Sequence, residues 1–406
     1  MIVTLHGICL SFALSVERTR VGSDDSVKPG FSKEPKGFSA TIEPEYLLVK
    51  YIYALASKCG ERRFVVNPDR SNRKVSTLND VAIRAGVSLA TASKALNGRR
   101  EVAPATRQRV LTAAQEISFT PNQLARSLVE NRTRTVGLLT SDLEGRFVIP
   151  ILMGAEDAFG AGQVDVFLCD ARGDSVREQH HLNALLTRRV DGIIVVGRQT
   201  DPRPSLGHTL PVPVVYAYAP SDDPTDLSLT PDNYAGGRMS MEHLIACGRR
   251  RIAYIGGDQS YAASTDRVAG ALGALEAAGL DLVGNVMYSD WSEHWGRDAA
   301  AMLLTQFPDI DGIACGSDQI ARGVIDTLRD IGRDVPNDVA VIGFDNWEIL
   351  ATNSRPGLTT IDANLQELGR SAAKRIFEAI DGEPEQSGTS YQPVQLVIRG
   401  STIKRR

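Results

Sequence analysis

From residue 78 to residue 98, apolar and polar positions recur at the spacing of two short amphipathic helices. Leu78, Val81 and Ala82 share one side of the first, and Ala92, Ala95 and Leu96 share one side of the second. Small residues at Ala82, Gly86 and Ala92 let the two cross at close range. Gly86 is free to take the positive φ that a tight interhelical turn requires, and Ser88 is placed to N-cap the second helix. Two helices folded about Ala85-Gly86-Val87 form the helix-turn-helix pattern, whose second helix enters the DNA major groove. An ordinary helical hairpin is the alternative that this run alone leaves open. Pro104 sits where a first-turn proline belongs, so a third helix is expected to about Ile117, with Val110, Leu111, Ala114 and Ile117 inward. Thr120-Pro121 then opens a short helical segment too small to bury much of itself, leaving Leu124 and Leu128 exposed unless a partner covers them.

From Thr135 the pattern changes to short continuous apolar runs separated by helical periods. Strands are expected at 136–139, 164–168, 192–196 and 212–216, with helices near 151–161 and 180–188. Such alternation predicts an open, doubly wound α/β sheet. The pattern then begins again. Thr-Val-Gly-Leu-Leu-Thr-Ser-Asp at 135–142 resembles Arg-Ile-Ala-Tyr-Ile-Gly-Gly-Asp at 251–258, and the run at 185–193 resembles that at 303–313, each ending in Asp-Gly-Ile. Two similar halves predict two lobes with a cleft between them, where ligands bind outside the strand carboxyl ends. Chance similarity of generic βα units is the competing explanation.

Charge adds a second asymmetry. Between Lys74 and Glu130 eight basic residues outnumber four acidic ones, while the whole chain of 406 residues carries −4, so the remainder is acidic. A basic module beside an acidic body suits phosphate binding at one end. The five cysteines are isolated, without a Cys-x-x-Cys pair, which argues against a structural zinc site or a disulfide framework and for a reducing, cytoplasmic setting. No apolar run reaches the roughly 20 residues of a membrane-spanning helix. Residues 1–73 carry no recognisable chemistry. Residues 3–16 are apolar but lack the basic residue and cleavage site of a signal, 23–36 read as disordered, and 46–56 could form one helix. Either this is a flexible arm, or the assigned start lies upstream of the true one, which is the favoured expectation.

The motifs taken together resemble the lactose-repressor/galactose-repressor (LacI/GalR) family of bacterial transcription regulators, from Val75 to the C-terminus. They are Thr-Leu-x-Asp-Val-Ala at 77–82, Ala-Gly-Val-Ser at 85–88 and Pro-Asn-x-x-Ala-Arg-Ser-Leu at 121–128. Further on come Arg-Val-Asp-Gly-Ile-Ile at 189–194, Ser-Asp-Gln-x-Ala at 317–321, Gly-Phe-Asp-Asn at 343–346 and Leu-Thr-Thr-Ile at 358–361. The resemblance implies a three-helix headpiece at 74–118, a hinge helix and linker at 119–132, and a two-lobed sensor like periplasmic sugar-binding proteins, also carrying the dimer contacts, at 133–406.

The same resemblance points Leu89, Ala90 and Lys94 toward base edges. Lys94 can donate to guanine acceptors where many relatives carry arginine, and Leu89 and Ala90 can offer only apolar contacts, such as to a thymine methyl. Thr77, Thr91, Ser93 and Asn97 suit phosphate oxygens, which position a helix without specifying sequence. In the hinge, Asn122 and Arg126 accompany Leu128, which matches the family's minor-groove wedge. Paired hinges imply a homodimer on a near-palindromic double-stranded operator. In the sensor the resemblance points to Phe147, Asn233, Arg267, Trp291, Ser317 and Asp345 around the cleft. Arginine and aspartate can each hold vicinal hydroxyls, an indole can stack on a sugar ring, and Asp290-Trp-Ser292 stands where sugar-responsive relatives carry a similar tripeptide. Ser317 replaces an asparagine often found there. Trp295 and Trp347 could extend the aromatic wall, which would suit an oligosaccharide or glycoside. The expected partners are therefore operator DNA, a saccharide effector and a second copy of the chain, with no membrane, cofactor or metal. A sugar-transport receptor would carry an export signal and no headpiece. For an α/β enzyme the Gly-x-Ser-x-Gly elbow, Walker loop and metal-spaced histidines are missing.

Overall fold

The computed structural model describes residues 76–96, 99, 101–119, 132–143, 145–160, 164–383 and 387–403. The expectations for residues 1–73, and those for Asn97, Asn122, Leu124, Arg126 and Leu128, lie outside the described residues.

The headpiece consists of α1 (Leu78–Ala85), α2 (Leu89–Leu96) and α3 (Pro104–Glu116). Thr77 starts α1 with a reciprocal capping box: its hydroxyl accepts from the Asp80 amide at 3.3 Å, and its own amide donates to the Asp80 carboxylate at 2.8 Å. Gly86 ends it at φ 64°, where the Gly86 and Val87 amides reach back to the Ile83 and Ala82 carbonyls. Ser88 accepts from the Thr91 amide at 3.1 Å and so opens α2. Val81, Ala82, Ala92, Ala95, Val110, Ala113 and Ala114 form the buried core. Leu111, expected inside, is 37% exposed, and Ala113 takes its place. The reason is the helical period. From Val110 the inward positions recur at three, four and seven residues on, and Leu111 lies about 100° round the helix.

The rest of the chain forms two lobes. The first has a six-stranded parallel sheet in the order β10-β5-β4-β3-β1-β2: β1 (Thr135–Thr140), β2 (Asp165–Asp170), β3 (Gly192–Val196), β4 (Val214–Ala217), β5 (Leu227–Pro231) and β10 (Gly388–Gln392). Helices α4 (Val148–Phe159), α5 (Ser175–Thr187) and α11 (Leu365–Ile380) cover its faces. The second has the order β11-β9-β8-β7-β6: β6 (Ile252–Ile255), β7 (Gly312–Cys315), β8 (Ala340–Phe344), β9 (Thr359–Asp362) and the antiparallel β11 (Gln395–Val397). It is covered by α6 (Asn233–Ala246), α7 (Ala262–Ala277), α8 (Glu293–Gln306), α9 (Asp318–Asp330) and the short α10 (Glu348–Ala351). The central strands of each sheet are buried on both faces, as continuous apolar strands require, while β2 and β10 at the edges of the first sheet stay partly exposed.

Several boundaries differ from those the periodicity predicts. Helix α5 begins five residues before the expected 180, because Asp174 accepts from the Val176 and Arg177 amides and caps the helix there. The internal repeat has a structural basis. Asp191, just before β3, accepts from the Thr133 and Arg134 amides that lead into β1. Asp311, just before β7, accepts from the Arg250 and Arg251 amides that lead into β6. A carboxylate in the same place thus ties β1 to β3 in the first lobe and β6 to β7 in the second. The segment around Met287 bridges Ile255 in parallel beside β6, as β2 lies beside β1, so the strand order of the halves matches.

Candidate functional site

On the outer side of α2, Leu89 is 51% exposed and Ala90 is exposed beside it. A leucine at that exposure is not held by the headpiece core. The Thr91 hydroxyl lies 2.8 Å from the Ser88 hydroxyl, and Lys94 pairs with Glu101 at 3.2 Å through two exposed side chains. Such a surface pair is worth about 1 kcal/mol at most, so Lys94 can exchange it readily. Ser93 is half-buried on the same helix, and Thr77 belongs to the α1 cap.

In the two-lobed part, a cleft of about 330 Å³ opens between the carboxyl ends of the two sheets. The first lobe contributes Arg146 and Phe147 from the loop after β1, Arg198 to Thr200 from the end of β3, and Tyr218 from the end of β4. The second contributes Tyr261 and Arg267 from the start of α7, Trp291 from the loop before α8, Gln319 on α9, and Asp345 and Trp347 after β8.

Asp345 is the electrostatic centre. One carboxylate oxygen faces Arg267 at 3.5 Å, and the other pairs with Arg146 from the opposite lobe. Arg267 is only 4% exposed and is held on every side. Its Nε donates to Asn233 Oδ1 at 2.8 Å, its Nη1 to the Gly316 carbonyl at 2.6 Å, and its guanidinium lies 3.5 Å from the Phe344 ring centroid. A buried guanidinium with this many partners is pre-organised, so little rotamer freedom remains to be lost on binding. Asp345 and Asn346 adopt φ values of 101° and 50°, a strained region for residues other than glycine. The surroundings hold them there: the Asp345 amide donates to the Ile361 carbonyl at 2.7 Å, and the Asn346 side chain is fixed by Asp362 and Arg399.

Behind Asp345 lies Asp318, fully buried, accepting from the Thr360 hydroxyl at 2.5 Å and the Trp347 amide at 2.7 Å. Burial, and then the neighbouring Asp345 charge, push its carboxyl up to about 7. Burial also raises the Tyr218 phenol, which stays protonated. The walls are aromatic. Phe147 stacks on Tyr218 with centroids 4.7 Å apart, and the Arg146 guanidinium sits 4.8 Å from both the Phe147 and Trp347 rings.

Of the residues expected around the cleft, Phe147, Arg267, Trp291 and Asp345 line it. Asn233 and Ser317 do not. Asn233 is buried and acts through Arg267, while the Ser317 hydroxyl is used as the N-cap of α9, accepting from the Ile320 amide at 3.3 Å. Trp347 joins the wall, whereas Trp295 packs on the second-lobe core and donates to the Gly256 carbonyl at 2.9 Å. Arg146, Arg198, Thr200, Tyr218, Tyr261 and Gln319 escaped the sequence reading. Position would have found several of them, because Arg198-Gln199-Thr200 directly follows the carboxyl end of an expected strand.

Among the described residues no helix is long and apolar enough to cross a membrane, and no His/Cys/Asp/Glu cluster could hold a metal ion. Residues 77–122 match the family described as bacterial regulatory proteins, lacI family, and residues 241–402 match the periplasmic binding protein-like domain. The HTH-type transcriptional regulator CelR of Thermobifida fusca is 34% identical over 336 residues, covering 80% of this chain and 96% of that protein. Catabolite control protein A of Priestia megaterium is 31% identical, covering 80% of this chain and 99% of its own. The solved Lac repressor dimer, bound to operator and an anti-inducer, superposes with a TM-score of 0.65 at 26% identity, covering 81% of this chain and all of that one (100%). The CelR–cellobiose complex gives 0.54 at 30% identity, covering 80% and 99%. With a helix-turn-helix headpiece, a two-lobed sensor and relatives matched along almost their whole length, the chain belongs to the lacI family of bacterial transcription regulators.

Proposed function

We propose that this regulator is a repressor that reads a near-palindromic operator as a homodimer and is controlled by a saccharide held between its lobes. The observation that carries the saccharide is the pairing of Arg267 with Asp345 on the floor of a cleft walled by Phe147, Trp291 and Trp347. Fixed polar groups beside aromatic faces suit a ring with polar edges and apolar faces. The relative CelR was solved with cellobiose, in keeping with such a ligand.

Residues 74–118 act as the DNA-binding headpiece, 119–132 as hinge and linker, and 133–406 as effector-binding and dimerisation domain. Leu89, Ala90 and Lys94 face the bases, while Thr77, Thr91, Ser93 and Asn97 contact phosphates. Leu128, with Asn122 and Arg126, wedges into the central minor-groove step. The effector acts through its differential affinity for two lobe arrangements, and the linked change in the hinges alters operator affinity.

Calorimetry on the full chain against glucose, cellobiose and longer oligosaccharides tests the ligand. At least one saccharide should give saturable heat that Arg267→Ala removes. Binding of a nucleobase such as hypoxanthine, with no heat from any saccharide, would contradict it.

A further inference from the structure

We infer that the effector of this cleft is an anionic saccharide, one whose ring carries a carboxylate or a phosphate. This rests on the saccharide reading above and narrows it. Three guanidiniums line the cleft, from Arg146, Arg198 and Arg267, against one carboxylate, Asp345. Both oxygens of that carboxylate are already engaged, one by each of Arg146 and Arg267. Neither Asp201 nor Asp318, the carboxylates next to it, lines the cleft wall. Asp201 accepts from the Ala262 amide at 3.0 Å through Oδ1, its Oδ2 being buried without a partner, and Asp318 is buried behind Asp345, bonded to Thr360 and the Trp347 amide.

Arg198 is exposed at the carboxyl end of β3, on the opposite side from Asp345's own strand, and makes no hydrogen bond or ion pair among the described residues. Two further polar atoms of the lining are buried without a partner, the Trp291 indole Nε1 and the Thr200 hydroxyl. The indole can only donate, and the hydroxyl can donate or accept. Unsatisfied buried groups of this kind call for a ligand that accepts. A neutral sugar offers hydroxyls that need acceptors as much as donors, yet the one carboxylate lining this cleft is already engaged through both oxygens. An anionic group offers only acceptors, and a guanidinium recognises its planar or tetrahedral oxygens in a bidentate fork. Arg198, whose guanidinium has no partner among the described residues, is the specificity-determining residue for that group.

The test is calorimetry on the full chain with four probes: cellobiose, cellobiouronate, cellobiose 6-phosphate and inorganic phosphate. Cellobiouronate or the sugar phosphate should bind at least tenfold tighter than cellobiose, the stronger of the two identifying the anionic group. Arg198→Gln should remove that advantage, weakening the anionic sugar at least tenfold more than it weakens cellobiose. Arg198 is exposed and has no partner among the described residues, so its substitution should leave the fold intact, and an unchanged thermal unfolding curve verifies this. Cellobiose binding as tightly as both anionic sugars, or an advantage that survives Arg198→Gln, would overturn the inference while leaving the saccharide reading in place. Inorganic phosphate binding as tightly as the sugar phosphate would overturn the saccharide in both. Absence of heat from all four probes would overturn the inference, and the saccharide reading falls with it only if glucose and the longer oligosaccharides give no heat either.

Discussion

At the residue scale, the cleft concentrates two kinds of cost that its surroundings offset. Asp345 sits in a left-handed backbone conformation, and Asp318 is a carboxyl kept out of water. Asp318 has a consequence for stability. Its native pKa of about 7 lies above the ordinary 3.8, so between those values the folded chain keeps a proton that the unfolded chain releases. Stability contributed by this group is therefore full below pH 4 and is lost as pH rises toward 7, by up to a few kcal/mol. Denaturant unfolding of the wild type and Asp318→Asn from pH 5 to pH 8 should show their difference narrowing or reversing as pH rises; a constant difference would mean Asp318 does not titrate in that window. The same residue marks the limit of sequence reading. The Ser-Asp-Gln motif at 317–319 was visible as a family signature, and Ser317 was expected at the ligand. Only the fold shows that Ser317 caps a helix, that Asp318 is buried, and that Gln319 is the member reaching the cleft. Three adjacent residues point in three directions at a strand-to-helix turn, and no periodicity encodes that.

At the scale of elements, turns and caps were the legible part. Gly86, Thr77 and Ser88 were readable because each answers a backbone demand that few residue types meet: a positive φ or an orphan amide. The Gly86 turn has open space around the missing Cβ, so Gly86→Ala tests conformation alone. It should destabilise the headpiece by roughly 1–2 kcal/mol, the cost of a left-handed alanine. Amide hydrogen exchange should then quicken across α1 and α2 and stay unchanged in the two lobes. Acceleration in the lobes as well would show that the headpiece does not open separately. Gly257 makes the opposite demand. A Cβ there would come within 2.3 Å of the Trp291 ring, so Gly257→Ala must push the indole into the cleft or away from it. We expect shifted tryptophan fluorescence together with weakened effector binding by about tenfold or more; unaltered affinity would remove Trp291 from the binding wall. This contact was illegible in the chain, because Gly257 and Trp291 belong to different loops brought together by the sheet.

For the whole molecule, the two halves repeat one βα design, and the repeat was legible because Asp191 and Asp311 do the same work in each lobe. What repetition could not tell was which side chains cross the cleft. Arg146 does so, joining the first lobe to Asp345 and Gln319 of the second, and Asp201 joins the other way through the Ala262 amide. These contacts make the relative stability of lobe arrangements sensitive to anything that competes for Asp345. A ligand that engages the Arg146–Asp345–Arg267 cluster differently in two arrangements shifts their balance by its differential affinity, and a tenfold change in operator binding requires only about 1.4 kcal/mol. On the headpiece, Leu89 and Ala90 leave the exposed side of α2 apolar, so under the proposed function specificity would draw on two copies and on DNA deformability as well. The most direct test of this coupling is the operator affinity of the full chain, measured by fluorescence anisotropy at fixed salt, with and without saturating cellobiouronate or cellobiose, in wild type and Arg267→Ala. The account predicts at least a tenfold change in the wild type with one of these sugars, and a variant that binds operator as the wild type does without sugar but no longer responds. Equal operator affinity with and without both sugars, or a full response in Arg267→Ala, would contradict it.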